Sequence, residues 1–185
     1  MIKEETSNEP YRDCVFPVKV VVDYSVRALC MTPYPGHRRG CPKFNSGHPD
    51  CPPDAPLVDE FFDMTGDFYV VVNNFDIMQH MNKLEKAHPT WSERQLRCCL
   101  YWQATARKQL AEKVRAVLKF DELRGLVAVT CPEAMGVHVT ETLERAGVPL
   151  EWPPIHFARQ VALLGNPLLA HKKLSPNTSH TVADG

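Results

Sequence analysis

Apolar positions along this chain switch between a period of two, unbroken runs and a period near 3.6, and each switch marks an element. Residues 16–22 (FPVKVVV) are β-branched and short, which predicts a strand with Pro17 at its edge or start. Residues 68–72 (FYVVV) form a continuous apolar run, the pattern of a strand buried on both faces. Residues 126–130 (LVAVT) predict a third strand that runs directly into Cys131-Pro132. Ile155, Phe157, Val161 and Leu163 alternate over a last strand at 155–164, although Arg159 breaks the series.

Helical spacing lies between these strands. A short helix is expected at 57–62, after Pro56. Asp76 can cap a helix that begins at Ile77 and stops before His88-Pro89. Leu96, Cys99, Leu100, Gln103, Ala106, Leu110, Val114 and Val117 recur at spacings of three and four, predicting one long helix from Ser92 to about Phe120. Arg94, Arg97, Arg107, Lys108 and Lys113 lie mostly off that stripe and are read as solvated. Residues 133–146 are amphipathic, end at Gly147 and are blocked by Pro149. Helices between strands predict an α/β fold: a small, mostly parallel sheet flanked by helices, with a long Cys/Pro-rich loop covering one sheet edge. One domain over residues 15–166 is expected, with a flexible arm at 1–14 and a loose tail at 167–185.

That loop, residues 30–56, holds three of the seven cysteines, two histidines, seven prolines and three glycines. Proline fixes φ and removes a backbone donor, so this density excludes a helix interior and a central strand. Tyr34, Phe44 and three thiols are uncommon in a solvated linker. A loop this long within a domain is functional or disordered, and thiolates around a metal centre would hold it.

Composition narrows the setting. The chain is 44% hydrophobic and 23% charged, enough to build a core, and its net charge is −1. Neither nucleic acid nor an anionic membrane is indicated as a whole-surface partner. No apolar run approaches membrane-spanning length, and the polar start MIKEETSNEPYRD has no apolar signal core. An odd cysteine number without an export signal favours reduced thiols and a cytoplasmic location.

The spacing Cys30-x₁₀-Cys41-x₉-Cys51, followed by 79 residues to Cys131, contains no C-x₂-C knuckle of the kind that serves most zinc ribbons. A [4Fe–4S] cluster takes thiolates at separate corners, so widely spaced ligands on a wrapping loop suit it better than one ion. Cys41, Cys51 and Cys131 are each followed by proline, as is the last cysteine of the bacterial ferredoxin run. Cys131 ends a strand, where open α/β sheets place ligands. Cys14, Cys98 and Cys99 read as packing or surface thiols.

Other side chains carry alternatives. His37 and His48 could replace a thiolate on zinc, donate to a cluster sulfur, serve a substrate as proton donor, or simply be solvated. Arg38, Arg39 and Lys43 beside Cys41 suit a small anionic substrate, the charge of a thiolate cluster, or a solvated basic turn. Glu133 is either a helix-dipole residue or a general acid/base next to Cys131. No phosphate-loop, dinucleotide or nucleophile-elbow motif occurs.

The segments PYPGHRRGCPKF, DCPP and CPEAMGVHVTETLERAG together resemble a family of unknown function described as predicted metal-binding proteins. The resemblance covers roughly residues 30–56 and 131–147. It implies a bound metal or iron–sulfur cluster, with Cys30, Cys41, Cys51 and Cys131 as ligands, and names no reaction.

Three classes of function follow. The first is an iron–sulfur enzyme, a lyase or sulfur-removing enzyme, whose [4Fe–4S] cluster acts on a small anionic substrate bound by Tyr34, Arg38, Arg39 and Lys43, with His37 and Glu133 in acid–base roles. The second is a structural zinc or cluster site that displays the basic, aromatic loop to a partner. The third is an electron carrier with a redox partner.

Overall fold

The apolar run at 68–72 becomes the middle of the sheet, where Val70, Val71 and Val72 are all fully buried. The structure, a computed structural model, describes residues 11–33, 38–41 and 44–168. Among these, four strands form one sheet: β1 (Val15–Val18), β2 (Phe68–Asp76), β3 (Val127–Val129) and β4 (Phe157–Gly165). Their order is β1-β2-β4-β3, and every neighbouring pair is antiparallel. Val71 faces Val15 on one side and Ala162 on the other.

This corrects the expectation of a mostly parallel sheet. β2 and β3 do run in the same direction, joined by a helical crossover, as a strand–helix–strand pattern requires. The last strand then inserts between them in the opposite sense, so no two parallel strands are neighbours. Nothing in the apolar pattern of 155–164 distinguishes insertion from addition at an edge.

Two helical layers cover the sheet. Helices α1 (Val58–Phe61), α2 (Ile77–Ala87), α3 (Glu93–Leu96), α4 (Gln103–Val117) and α5 (Val139–Arg145) follow in chain order. On one face Leu110, Val114 and Val117 of α4 pack with Val71, Ala162 and Leu164. On the other, Val58, Phe62, Met135, Val139 and Leu143 pack with Val70, Val72 and Leu163. Asp76 caps α2 as expected, its carboxylate accepting the N–H of Gln79 at 2.7 Å.

The expected single helix from Ser92 to Phe120 is broken. Cys98 is extended, and a lone 3₁₀ turn, Cys99–Tyr101, separates α3 from α4. The break lets Trp102 stack on Phe75, with centroids 5.4 Å apart, and donate its indole N–H to the carbonyl of Arg97. Leu100 is therefore 66% exposed instead of lying in the core.

The helix expected at 133–146 is also divided. A 3₁₀ turn, Pro132–Met135, ends at Gly136, and α5 begins three residues later. Val137 pairs with Val22 across the intervening residues. That pairing matters for the site because it sends the chain leaving β1 toward Cys131. At the last described residues, Pro167 bridges Phe62, and Leu168 donates its N–H to the carbonyl of Phe61. No helix among the described residues is long and apolar enough to cross a membrane.

Candidate functional site

Cys30 lies in the last turn of a 3₁₀ helix, Tyr24–Met31. Asp23 starts that helix, its carboxylate accepting the N–H of Ser25 at 2.9 Å. A 3₁₀ helix has three residues per turn, so Arg27 and Cys30 share one face. Arg27 uses that placement to grip the far end of the cysteine loop, donating to the carbonyls of Ala55 at 2.9 Å and Pro53 at 3.2 Å.

Cys41 is pressed against the same helix. Its N–H donates to the carbonyl of Cys30 at 2.7 Å. The preceding Gly40 has φ +80°, and a Cβ there would lie 2.4 Å from that same carbonyl oxygen. Only glycine permits this approach. Cys51 sits in a turn closed by its own N–H to the carbonyl of His48 at 2.9 Å, and its carbonyl accepts the N–H of Ala55. Asn45 donates to the carbonyl of Pro52 at 2.8 Å, fastening the segment after Cys41 to the one after Cys51.

Cys131 arrives from β3 and caps the 3₁₀ turn Pro132–Met135, its carbonyl accepting the N–H of Ala134 at 3.0 Å. That turn packs directly on the Tyr24–Met31 helix. Asp23 donates to the carbonyl of Gly136 at 2.8 Å, and Gly136 at φ +89° leaves room for the Tyr24 ring. Three distant stretches of chain thus deliver Cys30, Cys41, Cys51 and Cys131 to one region.

The electrostatics agree. Burial raises the pKa of the Cys30 thiol, and the neighbouring Cys41, Cys51 and Glu133 raise it further, against the guanidinium of Arg27. The Cys131 thiol is pushed up to about 11, mainly by burial, then by Glu133 and Cys51, with Arg107 opposing. Burial also raises the Glu133 carboxyl. Cys131 and Glu133 both keep solvent exposure.

This gathering is looser than a single-ion site. Among the described residues no three His, Cys, Asp or Glu side chains are placed to hold one metal ion. Tetrahedral zinc would draw thiolates to about 3.8 Å from one another. An iron–sulfur cluster takes thiolates at separate corners of a larger body.

The other candidates fall as follows. Arg38 and Arg39 are exposed in the turn before Cys41. His37, Tyr34 and Lys43 lie outside the described residues. The ring of His48 accepts the N–H of Asp50 at 3.3 Å, which shapes the turn before Cys51. Cys14 is buried under α4 and donates its thiol proton to the carbonyl of Tyr11 at 2.9 Å. Cys98 and Cys99 are half-buried at the break between α3 and α4.

Sequence reasoning passed over the influence of two cations. Arg107 is exposed on α4, as its place off the apolar stripe predicts, and its charge opposes the rise of the Cys131 pKa. Arg27 had a usable signal in its spacing of three from Cys30, once a 3₁₀ helix is assumed. A cavity of about 760 Å³ opens elsewhere, between Pro17–Val20, Met64 and Arg145, and no cysteine lines it. Comparison with protein-family models, curated proteins and solved structures finds no match.

Proposed function

We propose that this chain is an iron–sulfur protein that holds a [4Fe–4S] cluster through Cys30, Cys41, Cys51 and Cys131. The observation that carries the reading is the packing of the Cys30 helix on the Cys131 turn, with Cys41 hydrogen-bonded to Cys30 at the same place. The resemblance to predicted metal-binding proteins points the same way. Zinc on the same thiols is the competing reading.

The exposure of Cys131 and of the cations before Cys41 suits chemistry on a small anionic substrate. A bound cluster would supply a Lewis-acidic iron or a sulfur acceptor. Glu133, its carboxyl pKa raised by burial, stands two residues from Cys131 as the candidate general acid/base. Arg38 and Arg39 offer bidentate cationic anchors beside Cys41, with Tyr34, Lys43 and His37 on the same stretch of sequence. In this reading the protein is a cytoplasmic enzyme of the lyase or sulfur-removing kind, supplied with electrons by a redox partner.

The test is anaerobic purification followed by iron, sulfide and zinc analysis. Brown protein with broad thiolate-to-iron absorbance and about four iron and four sulfide per chain is expected. Colourless protein carrying one zinc would overturn the reading. Cys→Ala at each position then assigns the ligands. Loss at Cys41, Cys51 and Cys131 with retention at Cys30 would identify an open iron corner, and loss at all four a closed cluster.

A further inference from the structure

We infer that Cys30 and Cys41 form a reversible disulfide in the metal-free chain, a modification site that decides whether the thiol group can be loaded. The bond itself requires no cluster. Only its effect on loading rests on the function proposed above.

The geometry comes from a hydrogen bond. With the Cys41 nitrogen 2.7 Å from the Cys30 carbonyl oxygen, standard bond lengths cap the separation of the two Cα atoms at about 6.6 Å. Disulfides span Cα separations of roughly 4.4–6.8 Å. The pair therefore meets the first requirement for bridging without movement of the backbone. Gly40 keeps it so, because its backbone is in contact with Cys30 and Met31. Among the four thiols, this backbone contact favours a bond between Cys30 and Cys41. Both residues are partly exposed, so a small oxidant can reach them.

The oxidant is a low-molecular-weight disulfide such as oxidised glutathione. One cysteine thiolate attacks a glutathione sulfur, the glutathione S–S bond breaks, and the departing thiolate takes up the proton released by the cysteine. The second cysteine attacks the protein-side sulfur of the mixed disulfide, and the second glutathione leaves as a thiolate that takes up a proton in the same way. Two protein thiols are oxidised and one glutathione disulfide is reduced to two thiols. The product removes two of the four soft donors, so the oxidised chain cannot assemble the proposed centre.

The full-length chain, stripped of metal and reduced, is treated with oxidised glutathione, alkylated and digested with trypsin. Cleavage after Arg27, after Arg38 or Arg39, and after Lys43 separates the two cysteines, so a bond joins peptide 28–38 or 28–39 to peptide 39–43 or 40–43. The expected product is that linked pair, two hydrogens lighter, with Cys51 and Cys131 alkylated and full reversal by dithiothreitol. Dominant linkage of Cys30 to Cys51 or to Cys131, or Cys30 and Cys41 both alkylated after treatment, overturns the inference. Anaerobic incubation with iron and sulfide forms the second arm. The reduced chain should acquire the cluster absorbance and the linked chain should not. If the linked chain loads as well, the gate is wrong. If the pair links but the reduced chain never loads, the cluster reading falls and the disulfide stands.

Discussion

Arg27 donates to the carbonyl oxygen of Ala55 at 2.9 Å, joining the first helical turn before the cysteine loop to the last residues of that loop. The same guanidinium reaches Pro53. One side chain therefore sets the width of a loop rich in proline, where few backbone N–H groups are available to tie it down.

Arg27→Ala should release residues 44–56 while leaving the sheet intact. Hydrogen bonds from a charged donor contribute roughly 1.5–3 kcal/mol when shielded, and less at this half-buried position. Limited proteolysis within the loop should quicken, cluster uptake should fall, and the thermal midpoint should shift by only a few degrees. Arg27→Lys should recover part of the effect, because an ammonium cannot span both carbonyls as a planar fork does. Cleavage at the wild-type rate would show that the loop is held by other contacts.

Gly136 makes a second test. Its φ is +89°, and an added Cβ would lie 2.4 Å from Cδ1 of Tyr24. Left-handed backbone alone costs a non-glycine residue about 1–2 kcal/mol, and the clash adds to it. Gly136→Ala should destabilise the fold by about 2–4 kcal/mol, within the range for a strained, overpacked site. The movement would separate the Cys30 helix from the Cys131 turn. Adding Tyr24→Ala should relieve the clash but not the backbone strain, so urea midpoints should recover partly. Full recovery, or none, would show that the ring contact is misjudged.

Which parts of this arrangement were legible beforehand follows a physical rule. Val70 to Val72 announce a strand buried on both faces because the signal is local to three residues. Asp76 before Ile77 announces a cap for the same reason. Strand direction is not local: it depends on where β4 inserts, and its alternating residues read alike in either sense. The break at Cys98 was hidden because Cys99, Leu100 and Gln103 keep helical spacing through a segment that is not helical. There the stacking of Trp102 on Phe75 outweighs the local period. The candidate cysteines were legible as a set from the proline-rich loop and the later Cys-Pro. The influence of Arg27 on Cys30 and of Arg107 on Cys131 depends on tertiary packing, and only Arg27 left a trace in spacing.

That hidden break yields a paired prediction. Leu110 is 3% exposed on the buried face of α4, whereas Leu100 is 66% exposed in the interruption. Leu110→Asp buries a charge without a partner and should unfold the domain, a loss beyond about 4 kcal/mol. Leu100→Asp should stay within about 0.5 kcal/mol of the parent, like other surface changes. Circular dichroism melts of the two variants decide it. Equal damage from both would restore the continuous helix that the apolar spacing suggested.

Acid sensitivity supplies the last prediction, from the far end of the sheet. The Glu151 carboxylate accepts the backbone N–H groups of His156 at 2.9 Å and Phe157 at 3.2 Å. It also meets Nδ1 of the His156 ring at 2.8 Å. The backbone N–H of His156, and then its ring, hold the Glu151 pKa down to about 2 from an ordinary 4.5. A carboxylate depressed by folding stabilises the native state fully above its unfolded value and loses that contribution as pH falls through its folded value. For Glu151 the loss begins below about pH 4.5 and is complete near pH 2. The turn before β4 should therefore loosen over that window, with faster amide exchange at His156 and Phe157. Glu151→Gln keeps an acceptor but cannot titrate, so it should start from a weaker turn at about pH 5 and change less down to about pH 2.5. Parallel acid curves for the two proteins would remove Glu151 as the source of this pH dependence.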